Sequence, residues 1–163
     1  MKHLLFILFI VVIIGSGLTS CVKEKNFPVQ PIIEFKNYVS YNLDSADCII
    51  KFKDGDGDIG VMDGDTTTEL KMKYLWKDTA DGLFKPYDAN LADTTFDTLF
   101  YSYRIPNLTP DGQYKALDGE IKAKLRSHPL YGLGHHTVKF EIRLTDRAGH
   151  VSNMVTTNDI SVP

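Results

Sequence analysis

From Thr137 to Thr145 the side chains change character at every step. Val138, Phe140, Ile142 and Leu144 fall on one side, and Lys139, Glu141 and Arg143 on the other. Successive side chains of an extended backbone point to opposite faces, so this order gives a strand one buried and one solvated face. The same alternation recurs in Lys71–Lys77, with Met72, Tyr74 and Trp76 inward, and in Glu120–Arg126, with Ile121, Ala123 and Leu125 inward. Cys48–Lys53 places Cys48, Ile50 and Phe52 on its inner face, and Leu99–Ile105 alternates around Tyr101 and Tyr103. With Ile32–Tyr38 and Asn158–Val162 these runs predict about seven strands.

Turn dipeptides separate the runs: Asp81-Gly82, Pro110-Asp111-Gly112, Asp118-Gly119 and Arg147-Ala148-Gly149. No stretch carries a sustained helical period with caps at both ends. Short alternating strands joined by such turns predict an all-β chain, an antiparallel β-sandwich of two sheets. The segment Ile142–Ser152, IRLTDRAGHVS, resembles the last hairpin of bacterial immunoglobulin-like and fibronectin-like modules, with His150 where Asn is usual. The resemblance implies that type of sandwich for residues 32–163.

The amino terminus has a different logic. Met1-Lys2-His3 is a short basic start, Leu4 to Ile14 is unbroken apolar sequence, and Leu18-Thr19-Ser20-Cys21 follows. An 11-residue helix reaches only ~17 Å, against a hydrocarbon core of ~30 Å, so a spanning helix does not fit. The layout resembles a secretory signal ending in the lipobox of bacterial lipoproteins. That resemblance implies removal of residues 1–20 and acylation of Cys21, with residues 21–31 as a tether. Two or more acyl chains, at ~0.8 kcal/mol per buried methylene, make such an anchor permanent. Val22 rather than Asp after the cysteine favours the outer membrane by resemblance to the Gram-negative sorting rule, and Lys23-Glu24 looks like a short surface-export tag. The cell envelope, periplasmic or surface-facing, is the expected location.

Composition narrows the partners. Without residues 1–20 the chain has 17 basic against 21 acidic residues. No basic stripe exists to neutralise phosphates, which argues against nucleic acid. Asp makes up 16 of the 21 acids, a bias toward turns and cation loops. Acylation of Cys21 would leave Cys48 alone, so no intrachain disulfide is expected, and Cys48 reads as a buried apolar residue.

Phe52 to Gly60 reads FKDGDGDIG. Asp54, Asp56 and Asp58 alternate with Gly55 and Gly57 just after a strand, a spacing that lets a tight backbone aim successive carboxylates at one hard cation. Ca²⁺ takes six to eight oxygens at ~2.4 Å. The spacing matches the first half of an EF-hand loop, but Ile59 stands where Gly belongs, Asp65 where Glu belongs, and no helix flanks it. An EF-hand is rejected. Two readings stand: a non-helical calcium loop with Asp63 or Asp65 as extra ligands, and a strand-ending turn whose carboxylates cap backbone amides.

Other chemistry is thin. His135-His136 would point to opposite faces of a strand, which disfavours a shared metal, and His128, His135, His136 and His150 read as solvated loop residues. Gly15-Ser16-Gly17 lies in the signal, and no G-x-S-x-G occurs beyond it to supply an acyl-transfer nucleophile. Among the 18 aromatics, Tyr74 and Trp76 read as core, whereas Phe84, Tyr87 and Tyr131 lie in loops where sugar stacking stays open. The lipobox, DGDGDIG, the segment YRIPNLTPDGQYKAL (Tyr103–Leu117) and Asp146–Thr157 together resemble small uncharacterised Bacteroidota lipoproteins with an immunoglobulin-like domain. That likeness implies no enzyme. The expectation is a membrane-anchored, non-catalytic interaction or structural module. Beside the membrane, reached through the lipid anchor, its partner would be an unidentified protein or glycan. A surface glycan-binding accessory protein is the alternative and a hydrolase the third reading.

Overall fold

A computed structural model describes residues 26–42, 45–87, 98–126 and 134–162. Nine strands and no helix occur among them: β1 (Ile32–Asn42), β2 (Ser45–Asp54), β3 (Leu70–Lys77), β4 (Phe84–Pro86), β5 (Phe100–Tyr103), β6 (Leu117–Arg126), β7 (Thr137–Leu144), β8 (Val155–Thr156) and β9 (Ile160–Ser161). All strand pairs are antiparallel and form two sheets. One is ordered β1-β2-β6. In the other, β3 and β7 are the central pair; β4 and β5 share the outer edge of β3, while β8 and β9 share that of β7.

The alternation read from the sequence decides which faces meet. Cys48, Ile50, Ala123 and Leu125 from the first sheet join Met72, Tyr74, Val138, Phe140, Ile142 and Leu144 from the second in one buried cluster. Tyr38 of β1 stacks across this core on Phe140, 6.3 Å between ring centres. The described residues are therefore all-β, with two antiparallel sheets sharing a core in a sandwich-like arrangement. Trp76 is only half-buried, because β3 leaves the core at that end.

The inner face of β2 runs through Ala46, Cys48, Ile50 and Phe52, and its last member is Asp54, which is 0% exposed. Strand parity has thus driven a carboxylate to the end of the apolar core. Beyond it, Ile59 and Val61 are also buried, and the Val61 amide donates to the Ile105 carbonyl at 3.0 Å. These two apolar anchors pull the chain back onto the domain on the far side of the acidic loop.

Residues Asn26–Pro31 belong to the segment that the sequence reads as tether. They lie against the domain: the Lys53 ammonium sits 5.5 Å from the Phe27 ring centre, and the Gln30 amide donates to the Val151 carbonyl. Residues 1–20, Cys21, His128 and Tyr131 fall outside the described residues.

Candidate metal centre

The loop after β2 is built by its own first residue. Asp54 Oδ2 accepts the Gly57 amide at 2.8 Å and the Asp58 amide at 3.1 Å, folding the chain back over the strand end. Gly57 has φ +73°, in the left-handed region that side-chain-bearing residues avoid. Asp58 then reaches a second segment. Its Oδ2 accepts the Ala148 amide at 2.9 Å, and its carbonyl accepts the Arg147 amide at 3.2 Å.

Each of Asp54, Asp56 and Asp58 offers one carboxylate oxygen within 4.8 Å of the others. Oxygens bound to one calcium at 2.3–2.6 Å can lie no more than about 5 Å apart, so the three are close enough to share an ion. Asp56 is exposed and faces solvent, while Asp54 is wholly buried and Asp58 half-buried. Asp54 Oδ1 and Asp58 Oδ1 are both buried and have no hydrogen-bond partner. Burial pushes the Asp54 carboxyl up to about 6, with the Asp56 charge adding to the effect. Burial, then the charge of Asp146, raises Asp58 as well.

Arg147, whose charge acts on Asp58, directs its side-chain hydrogen bonds to neutral oxygens. It donates to the Gly60 carbonyl at 2.8 Å, to Asn107 Oδ1 at 3.2 Å and to Thr109 Oγ1 at 2.9 Å. It ties three loops together and, among the described residues, forms no salt bridge with the aspartates. The group brings no nitrogen or sulfur ligand, so its donor set is that of a hard cation.

Asp63 and Asp65, expected as extra ligands, are exposed and lie outside the group. Asp65 Oδ1 accepts the Thr67 amide at 2.8 Å and the Thr67 hydroxyl at 2.6 Å, and these bonds hold its carboxyl below the usual carboxylate range. Burial of Ile59 and Val61 carries the chain away before Asp63 is reached. Of the five aspartates named from sequence, the fold brings three together.

Two further acids were missed. Glu69, 2% exposed, accepts the Gly60 amide on Oε1 at 3.0 Å, while its Oε2 has no partner. Asp146 is buried and holds its own turn, accepting the His150 amide at 2.7 Å and pairing with His150 Nδ1 at 2.8 Å. This last bond raises the His150 pKa. Nothing in the local sequence marks Glu69; Asp146 was legible only as a turn residue.

His135 is not a solvated loop residue. Its ring lies parallel to Trp76 at 4.4 Å and its Nδ1 is 2.9 Å from the Tyr74 hydroxyl, and burial lowers its pKa. Phe84 lies in β4 beneath the Lys139 and Lys77 ammoniums, and Tyr87 meets Tyr74 and His135 edge-on.

No protein-family model, curated protein or solved structure matches this chain.

Proposed function

We propose that this chain is a lipid-anchored, non-catalytic module of the cell envelope. In this reading an immunoglobulin-like sandwich is braced at one end by a calcium ion held by Asp54, Asp56 and Asp58. The observation that carries the calcium reading is the pair of buried, unpartnered oxygens, Asp54 Oδ1 and Asp58 Oδ1, on two of the three aspartates whose carboxylates lie together. A strand-ending turn accounts for the glycines and for the two Oδ2 atoms, which meet backbone amides. It leaves the Oδ1 atoms unexplained. A buried acceptor without a partner costs about 1–3 kcal/mol, more when charged. Protonation relieves Asp54 only below a pH of about 6. Above that, a cation is the natural counter-charge.

Calcium fits better than its rivals. Magnesium demands a near-ideal octahedron at ~2.0–2.1 Å and keeps its waters, whereas calcium accepts irregular carboxylate loops. Zinc favours the His and Cys ligands that this group lacks. The anchor reading is supported by the lipobox ending at Cys21, and the immunoglobulin-like type by the Asp146–Ser152 turn motif.

The test is thermal melting of the full chain in detergent, with calcium or with a chelator. At calcium about 100-fold above its dissociation constant the stabilisation is ~2.7 kcal/mol. For a domain of this size that is a rise of about 8 °C. Asp56→Ala should remove the rise. Identical melts with calcium and chelator would end the calcium reading.

A further inference from the structure

The outer faces of the two sheets treat charge differently. On the first sheet the register sets opposite charges side by side: Lys51 lies between Glu34 and Glu120, Lys53 is opposite Asp118, and Lys124 is opposite Asp47. On the second sheet Lys71 of β3 is opposite Arg143 of β7, and its neighbour on the other side is Ser102 of β5. Both cations are exposed, and neither meets a carboxylate in a salt bridge among the described residues. Like charges directly opposite on adjacent strands destabilise a sheet. The central strand pair of this sheet therefore carries a repulsion that no such salt bridge relieves.

The two cations line a groove. Lys73 and Glu141 continue it along the same strand pair, Phe100 lies on its β5 side, and Val151 and Met154 lie in the segment leading to β8. Phe100, Val151 and Met154 are all exposed. Glu141 is engaged by Lys73 at 3.6 Å. Farther along the face Lys77 and Lys139 add two cations, and Asp159, 2.8 Å from Lys139, adds one acid. A chain whose acids outnumber its bases thus gathers five cations and two acids here. Cations with exposed apolar side chains among them suit the surface of an anionic bilayer. Headgroup phosphates take the ammonium and guanidinium groups, and the acyl boundary takes Phe100 and Met154. A soluble polyanion would meet the charges and leave the apolar side chains in water.

We propose, resting on the lipid-anchor reading, that the outer face of the second sheet docks on anionic lipid headgroups, so that the domain lies on the membrane by its β3–β7 face. The tether arrives beside this face. Gln30 donates to the Val151 carbonyl, and Asn153 Oδ1 accepts the Ile33 N–H at 2.8 Å, so the chain coming from the anchor is fastened to the strip that borders the groove. Nine residue steps separate Cys21 from Gln30 and span at most ~31 Å. That reach lets the face lie down on the bilayer and keeps it within range of the surface.

The experiment mixes the full chain, purified in detergent, with vesicles of phosphatidylcholine alone or with added phosphatidylglycerol. Flotation reads attachment, and amine labelling followed by mass spectrometry reads which lysines are covered. On anionic vesicles labelling of Lys71 and Lys73 should slow about fivefold or more, while the exposed Lys51 of the other sheet keeps its rate. High salt should abolish the slowing. Lys71→Gln with Arg143→Gln removes a repulsion between exposed side chains and leaves the fold intact, and the slowing at Lys73 should disappear in it. Equal labelling on both kinds of vesicle overturns the inference, as does equal slowing at Lys51 and Lys71, or slowing at Lys73 that survives in the double variant. Slowing by soluble polygalacturonate with none from anionic vesicles also overturns it, and makes the occupant an acidic glycan. Failure to float with neutral vesicles removes the anchor alone. Flotation with anionic vesicles that the double variant loses then still supports the face, and flotation with neither overturns it.

Discussion

Asp54→Asn should be more stable than the wild type without calcium and less stable than it with calcium. Asp54 is wholly buried; one oxygen serves two backbone amides and the other serves nothing. Its carboxyl is raised from 3.8 to about 6 by burial. The native state therefore binds more protons than the unfolded chain between these values. Without cation, the contribution of Asp54 to stability is greatest below about 3.8 and is lost as pH rises through about 6. At ~1.4 kcal/mol per pH unit, the charge costs the metal-free fold about 3 kcal/mol at most once it is fully ionised. Asn keeps the oxygen that the Gly57 and Asp58 amides need, removes the charge, and can offer its N–H to the bare Asp58 oxygen. A net gain of about 2 kcal/mol, or roughly 6 °C, is expected for Asp54→Asn in chelator. With calcium the wild type should melt higher, because the variant has lost a buried ligand. Scanning calorimetry of both proteins, in chelator and in calcium well above pH 6, reads the crossing directly. A variant less stable than wild type in chelator would show that the fold already compensates the Asp54 charge, and the reasoning for a cation would fail.

Other outcomes follow from the same geometry. Gly60→Ala combines φ +97° with a Cβ 2.1 Å from the Pro106 oxygen, so urea denaturation should show a loss of about 2–4 kcal/mol. Gly112→Ala has φ +123° but open space, and its loss should stay near 1–2 kcal/mol. The Cys48 thiol is buried and pushed up to about 12 by desolvation, so labelling by a thiol reagent should wait on unfolding and accelerate steeply in urea. Cys21→Ser should shift the chain from the membrane fraction to the soluble fraction, with no acyl mass on the product; a wild type recovered without acyl groups would remove the anchor.

Strand alternation is a one-dimensional signal, and it was readable to the residue. Val138, Phe140, Ile142 and Leu144, like Cys48, Ile50 and Phe52, lie on the faces that their parity dictates. The short edge strands β4 and β8, of three and two residues, carry too few positions to show a period. His135 was misplaced for a related reason, since its partner Trp76 is remote in sequence and only sheet pairing brings β7 beside β3.

The acidic loop divides in the same way. Alternating Asp and Gly marked a loop in which three carboxylates could converge or cap backbone amides, because glycine permits tight backbone curls. Which oxygens would be left bare, that Glu69 and Asp146 would be buried nearby, and that Phe27 and Pro28 would lie against Gly55 depended on segments remote in sequence, such as Asp58 and Ala148, 90 residues apart, meeting at one end of the two sheets. Local sequence fixes backbone freedom and face; only packing determines which polar atoms lose their water and what stands in its place.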